Sequence, residues 1–285
     1  MTEIEKKAEF LIEALPYIEK YKNKILVIKY GGNAMLGDEA KIEVMRDLRL
    51  LRCIGVKVVL VHGGGPEISE TLSRMGIQSK FIDGLRYTDA ETAEVVRMVL
   101  SGKVNKSLVH MLGSLGAKAV GLSGMDGGML LCEKQDEKLG FVGKIVRVDA
   151  SLILDCLEKD YMPVISSVGF DDEGNIYNVN ADSAASSIAG ALSAESLILM
   201  TDVKGLLRDK NDENSLIKKV YVSDIESLVR EGIISGGMIP KINCCKEAIR
   251  RGVNRVFITD GRVKHSLLLE LLSDEGMGTM FVKGD

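Results

Sequence analysis

Ile25-Leu26-Val27-Ile28-Lys29-Tyr30-Gly31-Gly32-Asn33 and, further on, Val58-Val59-Leu60-Val61-His62-Gly63-Gly64-Gly65-Pro66 decide the fold. Each is an apolar run of strand length that ends in a glycine turn. Helical periodicity follows each turn, over residues 38–54 after the first and 66–75 after the second. Unbroken apolar runs read as strands buried on both faces, and strands alternating with helices build a parallel sheet covered on both sides. Pro66 suits a first helical turn. Such a turn aims backbone N–H groups and a helix N-terminus at an anion, although a tight glycine turn serves strand-to-helix geometry alone as well. Two turns in succession lie where open α/β sheets place ligands, beyond the carboxyl ends of parallel strands.

The alternation continues downstream. Periodicity predicts helices over 89–100 and 104–115, a strand over 118–122, and short antiparallel strands over 129–133 and 140–147 that form a hairpin laid over the sheet. A helix over 150–159, a strand over 162–165, a turn at 171–175, a helix over 181–192 and a strand over 196–201 follow. The last third holds helices over 222–231, 237–251 and 264–272 and a strand over 255–259. The expected fold is α/β, a three-layer α/β/α sandwich with a mostly parallel central sheet. Residues 1–23 form an appended N-terminal helix, with Ile4, Ala8, Leu11, Ile12, Leu15 and Ile18 at helical spacing. Residues 24–180 and 181–285 read as two lobes of one continuous sheet, a substrate lobe and a nucleotide lobe.

The chain has 285 residues, 46% hydrophobic and 27% charged, enough for a large core. A net charge of −4 argues against a nucleic-acid binder, which carries a basic face, but not against anionic substrates held by a local cluster of cations. No apolar stretch nears the roughly 20 residues of a membrane span. The N-terminus has no signal-peptide core, so the expected location is the cytoplasm. Five cysteines without zinc-like spacing read as reduced structural thiols, and no metal site is expected.

Neither Gly-x4-Gly-Lys-Ser/Thr nor Gly-x-Gly-x-x-Gly after the first strand occurs, so a phosphate cradle here is of another design and a dinucleotide fold is disfavoured. Lys29 closes an apolar strand, either snorkelling out of it or paired with an anion. Lys241 follows Pro240 at a helix start, where a cation is unwelcome unless a phosphate or other anion compensates. Asn180 can cap the following helix, and Asp182 in its first turn can hold lysines. Arg86, in Gly84-Leu85-Arg86-Tyr87-Thr88, suits a substrate carboxylate or a surface salt bridge. Thr201-Asp202-Val203-Lys204-Gly205-Leu206 lines a nucleotide pocket or is only a turn.

Seven segments in order resemble the amino acid kinase family: 29–35, 61–66, 83–88, 178–182, 201–203, Gly236-Gly237-Met238-Ile239-Pro240-Lys241 and Gly276-Met277-Gly278-Thr279. Their order and spacing are more specific than any one of them. The resemblance is strongest to members that phosphorylate the γ-carboxylate of N-acetyl-L-glutamate with ATP in arginine biosynthesis. It implies that Lys29 and Lys241 stabilise the transferring phosphoryl group, that Gly32 and Gly64 donate N–H bonds, and that Asp182 orients both lysines. Gly64, Gly65, Arg86, Asn178 and Asn180 would hold N-acetyl-L-glutamate. Thr201, Asp202, Gly205, Leu206, Leu207 and Met238 would line the ATP site, with Mg²⁺ carried mainly by the ATP phosphates. Lys204 puts a cation in the nucleotide turn and bears on nucleotide affinity.

Arginine-inhibited members of that family carry an N-terminal helix that joins homodimers into a homohexamer, and residues 3–21 are similar to it. The implied inhibitor is L-arginine, with Tyr17, His265 and Gly278 as candidate contacts and a PII-type regulator as a further partner. A flap packed on its own subunit is the alternative reading of that helix, and the ring is preferred. Two other functions remain open: an aminoadipate-type kinase acting on a carrier-bound substrate, and a non-catalytic arginine sensor or scaffold.

Overall fold

A computed structural model describes residues 2–35 and 37–284. In chain order the elements are α1 (Glu3–Tyr21), β1 (Ile25–Tyr30), α2 (Asp38–Cys53), β2 (Lys57–His62), α3 (Gly65–Arg74), β3 (Phe81–Ile82), β4 (Leu85–Arg86), α4 (Ala90–Arg97) and α5 (Asn105–Ser114). Next come β5 (Ala119–Ser123), β6 (Leu130–Lys134), β7 (Val142–Val148), α6 (Ser151–Glu158), β8 (Met162–Ser166), β9 (Val168–Phe170), β10 (Ile176–Val179) and α7 (Ala181–Ala191). The chain ends with β11 (Ser196–Thr201), β12 (Lys219–Tyr221), α8 (Ile225–Arg230), α9 (Met238–Arg250), β13 (Arg255–Asp260), α10 (Ser266–Leu271) and β14 (Thr279–Val282). The expected N-terminal range 1–23 begins at Met1, outside the described residues.

Eight strands form one sheet in the order β12-β14-β13-β11-β1-β2-β8-β5, parallel from β13 to β5. Only β14 reverses direction against β13, and β12 runs with it. Side chains alternate across the sheet, so one strand feeds two cores. Leu26, Ile28 and Leu60 face a core built with α2, α5 and α10, whereas Val27, Val59 and Val61 face one built with α7 and α9. The three-layer sandwich is therefore as expected. β1 has β2 on one side and β11 on the other, so the chain order reverses there and opens a crevice at the strand ends.

Several elements differ from expectation. The hairpin of β6 and β7 closes with β9 and β10 into a small barrel instead of lying as a free ribbon. β12, β14 and the two-residue strands β3 and β4 carry no readable period. The expected break between two helices at 101–103 is absent. Met98–Val104 forms a π-helical segment that carries α4 into α5 without interruption. The wider i→i+5 turn absorbs residues 101–103.

Candidate active site

Lys29 is the fifth residue of β1 and points to the α7 side of the sheet, where burial leaves it 6% exposed. A buried ammonium is costly unless paired, and α7 supplies the partner from its first turn. Asn180 caps that helix, its Oδ1 accepting from Asp182 N at 3.0 Å and Ser183 N at 3.1 Å. This fixes Asp182 where a helix N-terminus favours negative charge. Asp182 Oδ1 lies 2.8 Å from Lys29 Nζ. Lys241, in the first turn of α9, donates to Asp182 Oδ2 at 3.2 Å. Burial pushes the Asp182 carboxyl up, but the charges of Lys29 and Lys241 outweigh it and hold its pKa at about 2. One carboxylate thus joins two lysines 212 positions apart in the chain.

In front of Lys29 lies a cavity of about 200 Å³, walled by Gly32, Gly63, Gly64, Gly65 and the loop before α7, with Arg86 and Asn178 on its rim. Close packing, rather than backbone conformation, favours glycine at position 64, where φ is an extended 168°. A Cβ there would sit 2.8 Å from Leu100 Cδ2 and 3.1 Å from Val104 Cγ2. Arg86 is almost buried, and burial lowers its pKa. Its guanidinium donates to Ser79 Oγ at 2.6 Å, Ser69 Oγ at 2.8 Å and the Gly65 carbonyl at 3.0 Å, and stacks 4.8 Å from the Phe81 ring centre. All these partners are neutral, so the salt-bridge reading fails and the charge is left for a ligand. Asn178 Nδ2 donates to Thr88 Oγ1, and Thr88 Oγ1 to the Arg86 carbonyl, which ties β10 to β4 across the rim.

The residues expected for a nucleotide do not line this cavity. Thr201 and Asp202 lie at the end of β11, one strand over from Lys29. The loop after them is held down locally: Leu206 N donates to Thr279 Oγ1 at 2.8 Å, Leu206 is in the core, and Leu207 bridges to Leu216. Met238 opens α9, one turn before Lys241. The Lys204 charge is met by Glu213.

Of the regulatory candidates, Tyr17 donates to Asp274 and joins α1 to the C-terminal segment. His265 is drawn instead to α2, with Nδ1 2.6 Å from Asp47 Oδ1 and Nε2 3.4 Å from Glu43 Oε2. Gly278 has a structural explanation of its own, because a Cβ there would fall 2.0 Å from the Ile258 carbonyl oxygen. Residue reading missed Ser69, Ser79, Thr88 and Phe81; Ser79, Phe81 and Thr88 lie within seven positions of Arg86, but their bracing role shows only in how the loop around β3 and β4 folds onto α3 and β10.

The model of the amino acid kinase family matches residues 24–260. The chain is 54% identical over 279 residues to an acetylglutamate kinase of Brachyspira hyodysenteriae, covering 97% of each chain. It is also 54% identical over 278 residues to one of Clostridioides difficile, again covering 97% of each. Among solved structures, an N-acetylglutamate synthase from Neisseria gonorrhoeae shares the fold, with a TM-score of 0.85 at 23% identity over 98% of this chain and 64% of that one. A carbamate kinase from Giardia lamblia bound to AMP-PNP does so with a TM-score of 0.68 at 18% identity, over 92% of this chain and 99% of that one. A match that spans every parallel strand from β13 to β5, both glycine turns and the Lys29–Asp182–Lys241 cluster means that this chain belongs to the amino acid kinase family.

Proposed function

We propose that the protein transfers the γ-phosphoryl group of ATP to the γ-carboxylate of N-acetyl-L-glutamate, giving N-acetyl-L-glutamyl 5-phosphate and ADP in arginine biosynthesis. The near full-length identity to acetylglutamate kinases supports the substrate. The observation that carries the chemistry is the shared Asp182 carboxylate, which holds two lysines beside a glycine-walled cavity. Arg86 takes the α-carboxylate, and Gly64, Gly65, Asn178 and Asn180 hold the rest of the amino acid. An ionised γ-carboxylate needs no general base. Its oxygen attacks the γ-phosphorus as the bond to the bridging oxygen breaks, and the electron pair leaves with ADP. Both reactants are anionic, so catalysis is alignment and charge stabilisation. Lys29 and Lys241 face the transferring group, with N–H donors from Gly32 and Gly64. Both Asp182 oxygens are engaged by lysines, which leaves Mg²⁺ to the ATP phosphates; when bound it screens their charge. Thr201, Asp202, Gly205, Leu206, Leu207 and Met238 shape the nucleotide side.

The same reading extends to control. Ala14 and Tyr21 of α1 are buried on the core, whereas Ile4, Leu11 and Ile12 stand 66–79% exposed. An exposed apolar stripe on an anchored helix fits pairing with a second copy, in a homohexamer of homodimers inhibited by L-arginine near Tyr17. No helix of the described residues is long and apolar enough to cross a membrane.

ADP release measured with N-acetyl-L-glutamate, L-glutamate, L-aspartate and N-acetyl-aminoadipate, with and without L-arginine, tests the proposal. Turnover confined to N-acetyl-L-glutamate supports it. No turnover with any of the four refutes it in favour of a carrier-bound substrate or a non-catalytic sensor. Removal of residues 2–12, which spares the buried turns of α1, is expected to shrink the particle and abolish arginine inhibition. An unchanged arginine response would overturn the regulatory part.

A further inference from the structure

His62 ends β2 directly before the glycine turn and is wholly buried. Its Nδ1 lies 2.8 Å from the Gly63 carbonyl oxygen, and its Nε2 lies 3.1 Å from Asn105 Nδ2. The tautomer follows from the surroundings. Asn105 Nδ2 also reaches the Val164 carbonyl at 2.8 Å and the Leu122 carbonyl at 3.1 Å, while Lys106 Nζ donates to Asn105 Oδ1 at 3.2 Å. Two carbonyls and an ammonium leave one orientation for that amide, with its NH₂ toward His62. That NH₂ has two hydrogens for three acceptors, so Nε2 takes a share of one at most, but a ring N–H cannot face it; Nε2 is therefore bare, and Nδ1 carries the proton and donates to the Gly63 carbonyl. Burial holds the His62 pKa at about 4, so the ring stays neutral near pH 7.

The consequence lies across one peptide plane. Among the described residues the peptides are trans, so a fixed Gly63 carbonyl aims the Gly64 N–H the opposite way, toward the cavity that Gly63, Gly64 and Gly65 wall. The N–H of Gly63 is already used on the Tyr30 carbonyl at 3.2 Å, which makes Gly64 the first donor free to serve a ligand. The π-helical segment explains how Asn105 comes to be there. It sets Leu100 and Val104 against Gly64 and delivers Asn105, the next residue, beneath His62. Wide turns of this kind often mark functional sites.

We propose that His62 and Asn105 are positioning residues for phosphoryl transfer: they lock the Gly63–Gly64 peptide so that the Gly64 N–H is aimed at the transferring group before substrate arrives. The inference rests on the kinase reading above. Loss of one preset donor to a developing charge costs about 10²–10³ in kcat, and a donor that is loosened rather than deleted should cost about 10–100-fold.

The test uses the full chain. In ¹⁵N spectra of wild type, with the His62 signal identified by its loss in His62→Asn, Nδ1 is expected to be protonated and Nε2 bare. The opposite tautomer would overturn the proposal, and this readout needs neither turnover nor a stable variant. In kinetics, His62→Leu should lower kcat about 10–100-fold with KM for ATP within about 3-fold. His62→Asn, which restores an N–H near the Nδ1 position, should regain most of that loss. Equal kcat for the Leu and Asn variants, normalised to folded protein, would leave His62 only a packing role and overturn the proposal. A wild type with the expected tautomer and no turnover of N-acetyl-L-glutamate would refute the kinase reading and, with it, the catalytic purpose assigned to the lock.

Discussion

Asp182→Asn is the sharpest perturbation of the site. The carboxylate sits 2.8 Å from Lys29 Nζ and 3.2 Å from Lys241 Nζ, and a pKa of about 2 against an ordinary 3.8 means the two lysines more than offset its burial. That net depression corresponds to roughly 2–3 kcal/mol in favour of the charged form. The amide keeps shape but removes charge, leaving the buried Lys29 ammonium beside Lys241 with no anion between them. Removing one partner of a buried pair costs about 3–5 kcal/mol, and the lower end applies because Lys241 reaches solvent. At about 2–4 °C per kcal/mol, the unfolding midpoint should fall by about 6–12 °C. ATP would bring phosphate oxygens within reach of the two uncompensated lysines, so it should raise the midpoint of the variant more than that of wild type. With the lysines no longer aligned, kcat should drop at least about 100-fold. The pH dependence has a fixed sign. A depressed folded pKa contributes stability above about pH 4 that is lost as pH falls toward 2, and the variant should lack that acid-side component. Thermal unfolding with and without ATP, together with initial rates, reads all of this. A midpoint within 2 °C of wild type and kcat within 3-fold would refute the charge argument.

Arg86→Lys cannot reproduce three donated bonds from one planar group, so KM for N-acetyl-L-glutamate should rise about 10–100-fold with KM for ATP little changed; equal KM values for the amino acid would remove Arg86 from its site. Asp47 has its pKa raised to about 6, chiefly by burial and against the pull of His265. A raised folded pKa means stability that is full below about pH 4 and lost as pH climbs through 6, so Asp47→Asn should raise the unfolding midpoint at pH 8 and leave it unchanged at pH 4. Gly278→Ala forces a Cβ onto the Ile258 carbonyl and should lower the midpoint by several degrees whether or not arginine is present, which calorimetry would show. A fully stable Gly278→Ala protein would mean that β14 gives way more easily than its packing implies.

The central sheet and the lysine cluster were legible because each rests on a local signal: an apolar strand, a glycine turn, a capped helix start. Lys29 at the end of an apolar run and Asp182 after Asn180 each announced an unusual position, and the fold brought them together. Where the signal was short it was lost. β3 and β4 have two residues each, with Phe81 exposed, and β12 and β14 have only three and four. His265 reads like a neighbour of Tyr17, yet its left-handed backbone, with φ of 58°, turns it toward Asp47 on α2. The His62–Asn105 pair, 43 residues apart, has no sequence signal because its meaning lies in which carbonyls surround the amide.

The charge arrangement bears on whether the site still works as a catalyst. Three cations (Lys29, Lys241 and Arg86) meet the Asp182 carboxylate and, beside Gly64, that of Glu67, so the cavity and the cluster beside it keep an excess of positive charge inside a chain of net charge −4. Such a site is costly to hold without a ligand, since buried ion clusters are often no more stable than the apolar packing that could replace them. A scaffold freed from catalysis would gain by filling the cavity with aliphatic side chains. A phosphotransferase has the opposite need, because the energy withheld in the empty site is returned when a dicarboxylate and a nucleotide phosphate enter together, and returned most where charge spreads over the transferring oxygens. Asp182 keeps the two lysines from repelling each other before that moment without neutralising both of them, and this balance is what a charge-stabilising kinase requires.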